Sequence, residues 1–189
     1  MYKRDVPLIR EYVYNKGPDG VLDVVTFVLC TIRVPLSKVY EYVEDVRVNQ
    51  ENSKHLWGHK SKGYLYTKEK KEKLYSVLYS GRSTESVLEE YLRVPGLGLP
   101  KASFVLQCVG YDTACLDGHN LKRLGLSANL TKGKTEAYLR TVREKGSEWY
   151  WDSWCEYIAG NSYNKRLPTA DLVSAEHIRC IKLDHDLER

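Results

Sequence analysis

Apolar residues recur at helical spacing almost from end to end of this 189-residue chain, and no two segments read as neighbouring strands. That pattern restricts the fold to helices packed on helices. Hydrophobic residues make up 42% and charged residues 29%, which excludes disorder on compositional grounds. The expected class is all-α: one compact helical globule over residues 1–189, without repeats or low-complexity tracts.

Local signals divide the chain further. Residues 6–15 form a short first helix closed by Gly17-Pro18, and 21–32 a buried central one. Pro35 starts a third, with Val39, Tyr42, Val43 and Val46 on one stripe. Residues 49–63 are polar and basic and read as a loop or irregular helix, and 63–66 suit extended backbone. Helices follow at 68–79, from Ser83 or Thr84 to about 92, and from Pro100 to 109, where Gly110 ends the last. Others lie around Leu121 and at 135–145, 147–159 and 169–182. In the 147–159 helix, positions 150, 154, 157 and 158 are expected to face the core. Residues 160–168 are the best linker candidate, read as a loop before a docking helix.

Several function classes fall away. The net charge of +4 suits a polyanionic partner without demanding one. Fifteen Tyr and four Trp against two Phe suit base stacking as well as a core. The five cysteines (30, 108, 115, 155 and 180) are odd in number and widely spaced, and the chain does not open like a signal peptide. Free thiols in a reducing cytoplasm are expected. The apolar run at 21–34 is broken by Asp23 and Arg33 and is too short for a bilayer, so no membrane partner is expected. His55 and His59 stand four apart without a third ligand nearby, so no metal site is expected. Lys54, Trp57, Lys60, Lys62 and Tyr64 make the same loop basic and aromatic, suited to touching DNA. No Walker loop, dinucleotide fingerprint or Ser/His/Asp motif is present.

The informative stretch is 84–110. Two short amphipathic helices flank Val94-Pro95-Gly96-Leu97-Gly98. Glycine lets the backbone turn sharply and approach another chain closely. The second helix then points its free N–H groups and positive dipole end outward at Gly98, which suits a DNA phosphate. Leu97 plugs the space between the helices, and Lys101 adds a phosphate contact. Nineteen residues past Gly98 stands Asp117, in Leu116-Asp117-Gly118-His119-Asn120-Leu121-Lys122-Arg123. By itself Asp117 is either an ordinary N-cap or a reacting carboxylate, and His119 and Asn120 either touch a substrate or cap the helix.

These two motifs, in this order, resemble the helix-hairpin-helix DNA glycosylase superfamily, and the Asp117 segment is most similar to its adenine glycosylase version. The resemblance covers about forty residues. It implies that Gly96, Leu97 and Gly98 grip DNA phosphate with a monovalent cation at the hairpin, and that no other cofactor is required. It implies that Asp117 faces the sugar of a flipped nucleotide, with Lys122 and Arg123 toward the backbone. A carboxylate there stabilises an oxocarbenium-like sugar, and the base must leave the stack to reach it. The Schiff-base lysine position of bifunctional members falls on Pro100, with Lys101 about 100° around the helix, so lyase activity is not expected. The four clustered cysteines of an iron–sulfur loop are lacking.

A narrower resemblance runs through residues 96–107, Cys115 to Asn120, Trp151-Asp152-Ser153-Trp154-Cys155-Glu156 and 169–177. These are similar to a phage-encoded branch, the alpha-glutamyl/putrescinyl thymine pyrophosphorylase-like proteins. That likeness implies an amino acid:DNA transferase acting in the bacterial host cytoplasm. A free amino acid or amine co-substrate replaces an activated group on a 5-hydroxymethylpyrimidine. Three readings stand: an enzyme that excises or modifies a 5-substituted pyrimidine, this transferase, and a non-catalytic DNA-binding module.

Overall fold

A computed structural model describes residues 1–160 and 170–182. Every regular element among them is helical, as the spacing requires: α1 (Tyr2–Lys16), α2 (Pro18–Cys30), α3 (Leu36–Asn49), α4 (His59–Leu78), α5 (Thr84–Tyr91), α6 (Leu99–Cys108), α7 (Gly118–Leu124), α8 (Thr135–Arg143), α9 (Ser147–Gly160) and α10 (Ala170–Ile181). Short 3-10 turns occupy Gln50–Asn52 and Ala128–Lys132. No described helix is long and apolar enough to cross a membrane. All five cysteines are free thiols. Beyond Gly160, which ends α9, the linker candidate lies outside the described residues.

The axis of the fold is α2. Its Val24, Val25, Phe27, Val28, Leu29 and Cys30 are all 1% exposed or less, so its second half is buried on every side and must be wrapped. The wrapping comes from α1, α3, α4, α6 and α10, while α9 closes against α1 and α10. Pro18 opens α2 at its first turn, where a missing N–H costs nothing.

The largest departure from expectation concerns α4, which begins at His59 rather than near 68 and carries 63–66 as helix, not extended chain. Its first half lacks an apolar stripe because its buried face mixes Lys60, Gly63, Tyr64 and Thr67. Gly63 and Thr67 are buried there, with Thr67 Oγ1 donating to the Gly63 carbonyl at 2.7 Å. A β-carbon at Gly63 would lie 2.3 Å from the Pro95 carbonyl oxygen. The 94–98 turn therefore rests directly on the backbone of α4. Buried Lys60 and Tyr64 belong to this packed region and cannot touch DNA, whereas Lys54, Trp57 and Lys62 are exposed. The inward residues of α9 are Tyr150, Trp151 and Cys155, a register shifted from 150/154/157/158.

Replacing Gly63 with Ala forces α4 and the turn apart. We expect urea unfolding to show a loss of about 2 kcal/mol, in the range for overpacked cores.

Candidate functional site

Residues 92–98 join α5 to α6. Ser83 caps α5 by accepting a hydrogen bond from the Ser86 amide. Leu97 is buried beneath the turn, while Gly96 and Gly98 are exposed. Gly96 holds φ +87°, and a β-carbon there would lie 3.2 Å from the His59 carbonyl oxygen, so position 96 requires glycine on two counts. The starts of α4 and α6 thus sit side by side.

Each helix begins after a glycine, Gly58 or Gly98, with no side-chain cap and no acidic residue in its first turn. Instead α4 opens with His59, Lys60, Ser61 and Lys62. Basic residues at a helix N-terminus oppose the dipole. Trp57, 56% exposed, and His59 flank this surface. Next to it the Lys60 ammonium is buried over the rings of Trp57 (5.5 Å) and Tyr42 (6.0 Å), and burial pushes its pKa down. His55 stacks on Tyr42 at 3.6 Å.

Asp117 is the N-cap of α7: its Oδ1 accepts from the Asn120 amide at 3.2 Å. The other oxygen, Oδ2, faces the Lys101 ammonium at 3.4 Å. The capping reading of Asp117 holds, and the cap leaves its second oxygen to the Lys101 ammonium. Side-chain exposures of 19% for Lys101 and 24% for Asp117 leave both within reach of a ligand. Lys101 does not extend outward to a phosphate; its amine turns inward, between Asp117 and the Cys115 sulfur at 4.0 Å. Burial opposes charge on Lys101, but the Cys115 sulfur when it ionises and the Asp117 carboxylate outweigh it and hold its pKa above the ordinary lysine value. Burial pushes the Cys115 thiol up to about 12. It is neutral at neutral pH, which leaves Asp117 as the counter-ion.

The loop before Asp117 is clamped from three helices. On α6, Gln107 accepts from the Cys115 amide (3.2 Å) and donates to the Ser147 carbonyl (2.9 Å). On α8, the Tyr138 hydroxyl donates to the Ala114 carbonyl (2.7 Å) and accepts from the Leu116 amide (2.9 Å). On α7, buried Asn120 donates to the Cys115 carbonyl (2.7 Å) and accepts from Arg123 (3.0 Å). Arg123 also donates to Ser153 Oγ at 2.7 Å and lies over Tyr157. Arg123 therefore braces α7 against α9 instead of facing DNA. Lys122 and His119 are exposed.

Sequence reasoning missed the Lys101–Asp117 pair, because a helix position names a direction only once the partner loop is placed. It also missed Gly63, although a glycine inside a charged helical run was a usable signal. No protein-family model, curated protein or solved structure matches the chain. Its chemistry rests on this geometry and on the motif likeness.

Asn120→Ala removes the amide that ties α7 to the Cys115 carbonyl and to Arg123. We expect a loss of about 2 kcal/mol in urea unfolding, the cost of stranding buried polar partners.

Proposed function

We propose that this protein binds duplex DNA across the adjoining starts of α4 and α6 and acts on a nucleotide turned out toward Lys101 and Asp117. The observation that carries the reading is the 3.4 Å ammonium–carboxylate pair beside the exposed glycine turn. Two uncapped helix starts, with exposed Lys62 in the first turn of α4, favour a phosphate backbone, and exposed Trp57 offers a stacking face. A monovalent cation bridging the turn and a phosphate belongs to the same reading.

In base excision the glycosidic bond breaks and its electron pair leaves with the base. Positive charge develops on the sugar, where the Asp117 carboxylate stabilises it until water adds. Lys101 lies close enough to serve as a Schiff-base amine despite its one-residue offset from Pro100. Its raised pKa keeps it protonated at neutral pH, so the expected role is a cation paired with Asp117 beside the sugar and leaving group, without strand cleavage.

One observation favours the transferase reading. Trp151 and His177, which belong to the tail segments of the narrower resemblance, pack 5.6 Å apart and meet Phe104 beside Lys101. A free amino acid or amine then displaces the activated group from a 5-substituted pyrimidine.

Mass spectrometry of oligonucleotides carrying normal, damaged, 5-hydroxymethyl or 5-phosphomethyl pyrimidines, with and without free amino acids, separates the readings. Base loss supports excision, an amine-dependent mass gain supports transfer, and no change with DNA still bound supports a non-catalytic module. Asp117→Asn should cut turnover by about a thousandfold and leave duplex affinity within about twofold. Gly98→Asp caps α6 and preserves stability, yet places a negative charge against phosphate. It should weaken duplex binding by about tenfold. Duplex binding that ignores both Gly98→Asp and added salt contradicts the proposal.

A further inference from the structure

Behind the Lys101–Asp117 pair the protein holds a group that folding does not explain. Phe104, on α6, presents its ring to the Lys101 ammonium at 5.7 Å. Around it stand Trp151 of α9 and His177 of α10, each 6.2 Å away between centroids, and Phe27 of α2 at 5.8 Å. His177 also meets Trp151 edge-on at 5.6 Å and Phe27 at 5.7 Å. Three rings from three helices, Phe27, Phe104 and Trp151, therefore surround one imidazole.

That imidazole is 2% exposed, and its Nδ1 has no hydrogen-bond partner among the described residues. Asp5, the acid whose charge acts on it, already accepts from Trp151 Nε1 at 3.4 Å and from Arg4 Nε at 2.9 Å. Burial holds His177 neutral, with a pKa of about 4. A neutral imidazole keeps one donor and one acceptor nitrogen. Stranding one of them in an apolar box costs stability that a Leu or Phe there would not. A polar group kept at such a cost, beside a reachable charged pair, points to a ligand that satisfies it.

We infer that Phe27, Phe104, Trp151 and His177 form the socket for the turned-out nucleobase, with His177 reading the base edge. The ligand is planar and aromatic with a polar rim, suited to offset or edge contacts with Phe104 and Trp151. A base seated there keeps its sugar on the Lys101–Asp117 side of Phe104. The rings pack against one another in the free protein, so entry requires Phe104 to rotate. At 8% exposure Phe104 is the most exposed of the four. The inference rests on the DNA reading above and names the subsite for the base.

The test uses a duplex with one pyrrolo-deoxycytidine, a fluorescent pyrimidine analogue, set opposite a mismatch. Anisotropy reports duplex binding, and emission intensity reports stacking on aromatic rings. With the native protein we expect both signals to change. His177→Phe keeps the ring packing and removes the stranded nitrogen; His177→Leu is the second variant. Either should melt higher by about 3 °C, bind duplex within about twofold, and give an emission change about tenfold smaller once the duplex is saturated. Such a variant, more stable but poorer at base capture, is the signature of a group kept for a ligand. Emission that never changes with the native protein, or a titration unaltered in both variants, overturns the socket while leaving duplex binding intact. If anisotropy shows no duplex binding, thermal shift with millimolar free thymidine decides. A shift in the native protein that His177→Phe loses sustains the socket, and no shift overturns it.

Discussion

The absence of a β-carbon at position 63 lets the backbone of α4 lie against the Pro95 carbonyl, and the arrangement of the site follows from that contact. It brings the glycine turn down onto α4 and sets two helix starts side by side. It also fixes where α6 emerges, and hence where Lys101 points. From the other side, Gln107, Tyr138 and Asn120 fasten the loop before Asp117 to three helices. Two independently anchored segments thus present one ammonium and one carboxylate to each other. Sites held by rigid elements in this way need little reorganisation when a ligand arrives.

The same region gathers choices that are unfavourable for folding alone. Basic residues occupy the first turn of α4 against its dipole. An ammonium, Lys60, is buried over aromatic rings, and an imidazole nitrogen on His177 is left without a partner. Other elements carry ordinary signals: Ser83 caps α5, Pro18 opens α2, and the second half of α2 is buried throughout. Unfavourable local choices beside a reachable charged pair are those expected where selection acted on something besides stability.

The legible parts of the fold were those written within a few residues. Gly17-Pro18 separates α1 from α2, Gly110 ends α6, and Asp117 opens α7, each through backbone chemistry that needs no distant partner. The start of α4 was illegible because its buried face there is Lys60, Gly63, Tyr64 and Thr67, of which only Tyr64 carries an apolar signal. Lys101 and Arg123 were both read as facing phosphate. Their actual partners, Asp117 and Ser153, lie sixteen and thirty residues away, and only the packing of α6, α7 and α9 brings them close. Trp151 and His177 stood in motifs the sequence displayed, but their meeting beside Phe104 depends on how α9 and α10 close over α2.

The central claim is that the adjoining starts of α4 and α6, with Lys101 and Asp117 beneath them, form one nucleic-acid face. Backbone-amide NMR of the 21.8 kDa chain during titration with a short duplex tests this directly. The account predicts the largest salt-sensitive shifts at Gly58 to Lys62 and at Gly96 to Lys101, with smaller ones at Asp117 and Gly118. Shifts confined to the opposite end of α6, around Gly110 and Tyr111, or no shifts at all, would contradict it.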